Sequence, residues 1–415
     1  MPFGFPIEIH GLEQNIALSR DGSVIATINA PMAKANSSTE QGKIWLGLNQ
    51  VTMVVPDESK STFNGFVTDL TLGNESSFRL EGTGNALAKT SIGNIRLDGI
   101  KFNVPANMKG MQGLAVIPPK ITSLEVSGGS KEAMYIDIGC TINNPSDLKI
   151  SVGDVAFNLL GEGNILGTVT MANLTLDRGE NQVTGKVKFS PQGEAAIATG
   201  RQLLGRYAMG TDSPVGISGS QESTVIPSLQ QAFSKIQLPS TMPGLKTQLL
   251  QSSRFTVLDN TGQTGMASAG IEANNPLGAQ LQILELDSSI SFHDHVVGTI
   301  KGKLPEVITI PAKSVQESPS LPLKLDLDPK SIVFLMEQAA IDSKTDLGDL
   351  LPLLDIVAPR INSKLRKRAI DVEGLIAKAV TGLKVDATLS AKIKVGDYET
   401  MLDYSQKGVP CKTST

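Results

Sequence analysis

The chain has 415 residues, 40% hydrophobic and 19% charged, with a formal net charge of −4. That composition suits a folded protein of two or three domains rather than a disordered one, and it offers no basic excess for phosphates, which argues against nucleic acid as a partner. Cys140 and Cys411 are the two cysteines, too few for a disulfide framework or a Cys-rich zinc site.

The opening Pro2-Phe3-Gly4-Phe5-Pro6 lacks the basic and apolar regions of a signal peptide. Gly22 to Pro31 reads as a strand running into Asn29-Ala30-Pro31, and Ile44 to Val55 and Phe63 to Leu72 read as further strands. From Ile136 to Ile142 alternate residues are apolar, with Cys140 on the isoleucine face, as in a half-buried strand. The same alternation runs through Val183 to Phe189, Leu284 to Phe292 and Lys384 to Val395. Gly- and Asn-rich joints such as Asp177 to Asn181 punctuate these strands, which favours antiparallel sandwiches over βαβ units. No apolar run approaches the ~20 residues that span a bilayer.

An internal repeat organises the chain. Asn143-Asn144-Pro145 recurs as Asn274-Asn275-Pro276, and Gly167-Thr168 recurs as Gly298-Thr299. Positions 143 and 274, 145 and 276, and 167 and 298 are each 131 apart, so three anchors share one offset without a gap. The expected fold is mainly β, as tandem antiparallel β-sandwiches of immunoglobulin-like type with short helices. A divergent sandwich occupies 1–117, a repeat unit 118–222, a Pro-containing helical linker 223–245, and a second repeat unit 246–415 with a helical insertion at about 343–383. Short helices are expected at Pro191 to Arg206, around Leu229, Phe233 and Ile236, and at Pro329 to Ala340.

Proline forces its predecessor into extended geometry and cannot donate to a ladder, while Asn accepts left-handed backbone and bonds locally. Asn143, Asn144, Pro145, Asn274, Asn275 and Pro276 are therefore expected to build turns rather than a ligand site. His293-Asp294-His295 would need further ligands to hold a metal, and a turn is the better reading. No nucleophile elbow, phosphate-cradling loop or dinucleotide fingerprint occurs, so no catalytic residue, metal or cofactor is expected, and a hydrolase is a remote alternative. The sequons at Asn36, Asn74 and Asn173 permit N-glycosylation if the chain is exported. Lys364, Arg366, Lys367 and Arg368 form a basic patch inside the insertion, read as the wet face of a helix and as a candidate interaction surface.

The strand-Asn-Asn-Pro-strand pattern, with Asp154 to Leu159 and Ile165-Leu166-Gly167, resembles the group 2 late-embryogenesis-abundant fold of plants, also called the water stress and hypersensitive response domain. The residues Pro2 to Pro6, Phe78 to Gly82 with Ala88 to Gly93, Ile100 to Val104, Asn143 to Val155 and Asn173 to Asn181 are similar to a fungal family of single-pass membrane proteins. The ectodomain of that family has no assigned function. The resemblance implies a vacuolar-lumenal or extracellular location and a transmembrane anchor upstream of the present sequence; without such a segment the chain would be cytoplasmic. It also implies a non-catalytic structural or interaction role, with another protein or a membrane surface as partner. A lipid or apolar-ligand carrier is the alternative, weakened by the 4% aromatic content.

Overall fold

The computed structural model describes residues 8–38, 43–46, 51–91, 93–258, 261–326, 338 and 383–413. Within them the chain is mainly β and forms three consecutive sheets. The first holds β1 (Glu8–Arg20), β2 (Ser23–Ser38), β3 (Lys43–Leu46), β4 (Met53–Val54), β5 (Glu75–Thr90) and β6 (Gly93–Lys109). Their order is β3-β2-β1-β5-β6, with β4 on β2. Asp21-Gly22, both at positive φ, make the two-residue turn from β1 to β2, a geometry whose twist matches the strands.

The stretch Phe63 to Leu72, expected as a strand, is instead most of helix α1 (Lys60–Leu72). Phe63, Phe66, Val67 and Leu70 fall at helical spacing, and Phe66 sits edge-on to Phe78 of β5 with ring centroids 5.6 Å apart. Nor does this unit repeat the Asn-Asn-Pro turn. β2 runs on through Asn29-Ala30-Pro31 and only shifts its register against β1 between Leu12↔Ala33 and Gln14↔Ala30. Ala30 has no carboxamide with which to hold a turn.

The second sheet comprises β7 (Lys120–Gly129), β8 (Met134–Asn144), β9 (Ile150–Gly161), β10 (Asn164–Leu176), β11 (Gly179–Phe189), β12 (Ser213–Ser218) and β13 (Gln237–Met242). Its order is β13-β12-β9-β10-β11-β8-β7. Helix α2 (Glu194–Ala208) follows β11, and α3 (Pro227–Phe233) precedes β13. The segment 223–245, expected as a linker, thus belongs to this unit. Phe233 stacks on Phe157 at 5.9 Å, and β13 pairs with β12 while Leu238 and Met242 turn inward. The prolines that suggest a linker sit where they cost little. Pro227 opens α3, and the exposed Pro239 lies on the outermost strand.

The third sheet comprises β14 (Leu250–Val257), β15 (Met266–Asn275), β16 (Leu281–Phe292), β17 (His295–Ile300), β18 (Lys303–Ile310), β19 (Ser314–Glu317), β20 (Leu321–Leu325), β21 (Lys384–Val395) and β22 (Tyr398–Thr413). A one-turn helix, α4 (Thr261–Thr264), joins β14 to β15. The path β14-β22-β21-β16-β17-β20-β15 returns to its start because β14 also pairs with β15. The closing contact of β14 with β22 is parallel, from Ser253↔Cys411 to Phe255↔Thr413. Gln406 extends it: its carboxamide donates to the Leu250 carbonyl (2.7 Å) and accepts from the Leu250 N–H (3.1 Å).

The repeat is legible atom by atom. Strands β9 and β16 begin at 150 and 281 and end at 161 and 292, 131 apart in both cases. Asn144 Nδ2 donates to the Leu148 carbonyl (2.8 Å) while Asn144 Oδ1 accepts from Ser146 N (3.0 Å). Asn275 makes the same pair with the Ala279 carbonyl (2.9 Å) and Leu277 N (3.1 Å), and adds bonds to the Ile310 and Pro311 carbonyls. The glycines mark a shared bulge. The ladder skips Leu166 in β10 and Val297 in β17, and a Cβ on Gly167 would lie 2.0 Å from the Lys188 carbonyl oxygen. The opening Pro2 to Pro6 lies outside the described residues, as do the helix expected at Pro329 to Ala340, save Gln338, and all of the insertion but Leu383, basic patch included.

Asn275 is wholly buried, at 0% exposure, so Asn275→Ala strands three carbonyls and one N–H and is expected to cost about 3 kcal/mol. Asn274→Ala, at a half-buried ladder position, is expected to cost less than about 1 kcal/mol. Urea unfolding followed by circular dichroism reads the difference; equal costs would refute the assignment of the second Asn as the one that holds the turn.

Candidate functional site: an apolar cavity in the second sheet

Period-two alternation on β8 sends Met134, Ile136, Ile138, Cys140 and Ile142 to one face, where all are buried. Val152, Val155 and Phe157 of β9, Val169 and Met171 of β10 and Val187 of β11 do the same. The seven strands roll so that these faces enclose a cavity of about 130 Å³ with an almost wholly apolar lining. Leu229 and Phe233 of α3 also line it, and so do Thr71 of α1 and Met111 and Leu114 of the connection from the first sheet. A void of that size costs about 3 kcal/mol relative to a filled core.

Unlike the third sheet, the second does not close. Its outermost strands are β7 and β13, and among the described residues no ladder joins them. Ser240 Oγ donates to the Pro119 carbonyl across the gap at 2.7 Å, and both residues line the cavity. Half-buried Ile121 and Leu124 of β7 and Ile217 of β12 also line it, in part reached by solvent.

Both cysteines are free. Cys140 faces the cavity, and burial pushes its thiol up to about 11. Cys411 lies beside Ser253 Oγ at 3.3 Å, and burial raises its thiol as well. No pairing between them is present.

The remaining residues singled out by sequence are dispersed. His293 and Asp294, at φ 48° and 65°, form the two-residue turn between β16 and β17, and His295 opens β17. His10 lies on the first sheet, 3.8 Å from Glu8. Among the described residues no three His, Cys, Asp or Glu side chains gather to hold a metal ion. Asn36, Asn74 and Asn173 are all exposed, on β2, in the bend after α1, and at a left-handed position (φ 49°) in the β10 bulge. No described helix is long and apolar enough to cross a membrane.

The cavity escapes sequence reasoning because it depends on which strands fail to pair. In the structure β13 has six residues where β22 has sixteen.

Residues 23–159, from β2 into β9, match the model of a family described as "Protein of unknown function (DUF3712)". No curated protein matches the chain. Among solved structures the chain is similar to a tetra-tandem repeat in the extending region of a large adhesion protein, at 9% identity and a TM-score of 0.20, covering 96% of this chain and 66% of that one. It is also similar to the BSP domain of a biofilm-associated protein, at 8% identity and a TM-score of 0.17, covering 96% and 59%. The chain thus spans less than two thirds of either, and at such scores the likenesses carry no functional argument.

The buried thiol gives a direct test. At pH 8 an aromatic disulfide reagent is expected to modify Cys140 far more slowly in the native protein than in urea; rapid native modification, located by peptide mass, would contradict the buried placement. The thiol also links stability to pH. Its folded pKa is raised, so the stability it protects is complete below about pH 9 and lost as pH rises toward 11. Alkaline destabilisation is therefore expected to shrink in Cys140→Val, as measured by urea midpoints from pH 8 to 11.

Proposed function

We propose that the chain is a non-catalytic structural or interaction module, acting as the ectodomain of a fungal membrane protein on the lumenal or outer side of a membrane. The observation that supports the structural role is the continuity of its packing. One apolar core runs from Val126 in β7 to Val409 in β22, through the second and third sheets together. The junction is also polar. Arg201 of α2 holds Asp403 of β22 through two hydrogen bonds and reaches Ser390 Oγ (3.0 Å). The Arg201 guanidinium, against desolvation that works the other way, keeps the Asp403 carboxyl below the usual carboxylate range. Backbone bonds from Asp397 N to the Gly129 carbonyl and from Gly278 N to the Val126 carbonyl, both 2.9 Å, tie the same boundary.

The first sheet is joined less extensively. Met111 N bonds to the Leu70 carbonyl (2.8 Å) and Lys109 N to Asp147 Oδ2 (3.1 Å), and Leu148 packs on the cluster around Phe66 and Leu70. A chain packed in this way keeps surfaces at fixed separations, which suits presentation or spacing. The partner is another protein or a membrane surface, with the anchor supplied by sequence preceding this chain. The exposed Asn36, Asn74 and Asn173 suit a glycosylated compartment.

Two measurements bear on the reading. The second and third sheets are expected to unfold in one urea transition, with hydrogen exchange in β8 and β21 lost together; separate transitions would break the claim of one rigid block. Expressed from its complete gene in a fungal cell, the protein is expected to lose mass on treatment with an N-glycosidase. Thr175→Ala is expected to remove one glycan, without placing a new side chain at left-handed Asn173. A protein recovered from the cytosol without glycans would overturn the proposed location.

A further inference from the structure

We propose that the interior of the second sheet is a binding site for one uncharged hydrocarbon, either a compact molecule about the size of benzene or the last few carbons of an alkyl chain, admitted between β7 and β13. Three observations converge on it. The cavity, about 130 Å³, is close to the size at which apolar voids stay dry and take up benzene or xenon. Its polar lining residues, Thr71, Ser240 and Cys140, carry no charge to meet an ion, so a charged head group would have to stay outside. And the void lies behind a sheet edge that is left open, although the third unit shows this topology closing, by a parallel ladder and the Gln406 carboxamide.

The seam itself suits entry. Opening β7 from β13 breaks the bond from Ser240 Oγ to the Pro119 carbonyl, and no ladder among the described residues. The half-buried Ile121 and Leu124 of β7 offer an apolar threshold. This inference is independent of where the chain is anchored, and it stands or falls separately from the structural role.

The test uses the chain with benzene, xenon and octanol as probes. Each is expected to raise the thermal midpoint by several degrees, and benzene is expected to slow modification of Cys140 by a small mercurial further. Competition of octanol with benzene would identify an alkyl-chain end as the fitting ligand; stabilisation by benzene and xenon alone would identify a compact one. Val169→Phe, which fills the cavity from β10, is expected to abolish all the shifts, and Cys140→Leu serves if that variant does not fold. Protection of Cys140 is read on the unmodified protein and needs neither variant. Unchanged midpoints and unchanged Cys140 reactivity with every probe, or shifts that persist in a folded filled variant, would overturn the proposal.

Discussion

The buried carboxamide of the second Asn in each repeat is the constraint from which much else follows. Asn144 and Asn275 are 1% and 0% exposed, in surroundings where an unsatisfied amide would be costly. Each therefore has to find its partners, and it finds them in the backbone of the residues just ahead. That fixes the turn after β8 and after β15, where the chain leaves one strand to ladder elsewhere in the sheet, β9 with β10 and β12 and β16 with β17 and β21. In a sheet with period-two side chains, a slip of one residue would send every core side chain to the wrong face. The inward ranks from Met134 to Ile142 and of Ala267, Ala269 and Ala273 hold their places through the ladders of β8 with β7 and β11 and of β15 with β14, β19 and β20, and the turn beyond them ends each rank at one fixed residue.

Given two units with the same turn, the difference between them arises at the other end of the chain path. In the third unit the last strand is long, and its far end, Cys411 to Thr413, ladders onto β14. Tyr404 Oη and the Gln406 carboxamide satisfy the backbone at Leu249 and Leu250 just before that contact. In the second unit β13 stops at Met242 and the chain turns away toward β14. Among the described residues the first strand then has no ladder on its outer side, only single backbone bonds from Gly278 and Asp397 near its far end, and the interior keeps a void beside that open edge. Repetition of sequence at one offset has thus produced two sheets alike in register and unlike in closure.

Local signals in the sequence reach the first of these features and miss the second. The common offset of 131, the Gly-Thr steps and the alternation on β8 and β21 are short-range patterns, and each corresponds to a backbone event: a turn, a bulge, a strand face. Phe63 to Leu72 misleads because Asn64, Gly65 and Thr68 dilute a helical rhythm whose apolar members number only a few. The segment 223–245 misleads because prolines ordinarily mark linkers, whereas Pro227 and Pro239 occupy positions where a missing N–H is harmless. Closure is a property of strands far apart in sequence, here β7 with β13 and β14 with β22, and no local pattern encodes whether such edges meet.

The tandem arrangement and the cavity are also physically connected. Thr71 comes from the helix of the first unit and Met111 and Leu114 from the chain leaving it, yet all three line the space inside the second. Met111 is fixed there by its backbone bond to Leu70, and Leu148 packs on the first unit's apolar cluster. Across the opposite boundary, Phe189 of β11 meets Tyr398 edge-on at 6.4 Å, and α2 is clamped to Asp403. The second unit is therefore held on both sides by its neighbours, and part of its lining is borrowed from one of them. A displacement of the first unit would move Thr71, Met111 and Leu114 with it, altering the cavity without touching any strand of the sheet that surrounds it. The packing between the units would in this way also set the volume of the apolar cavity in the second sheet.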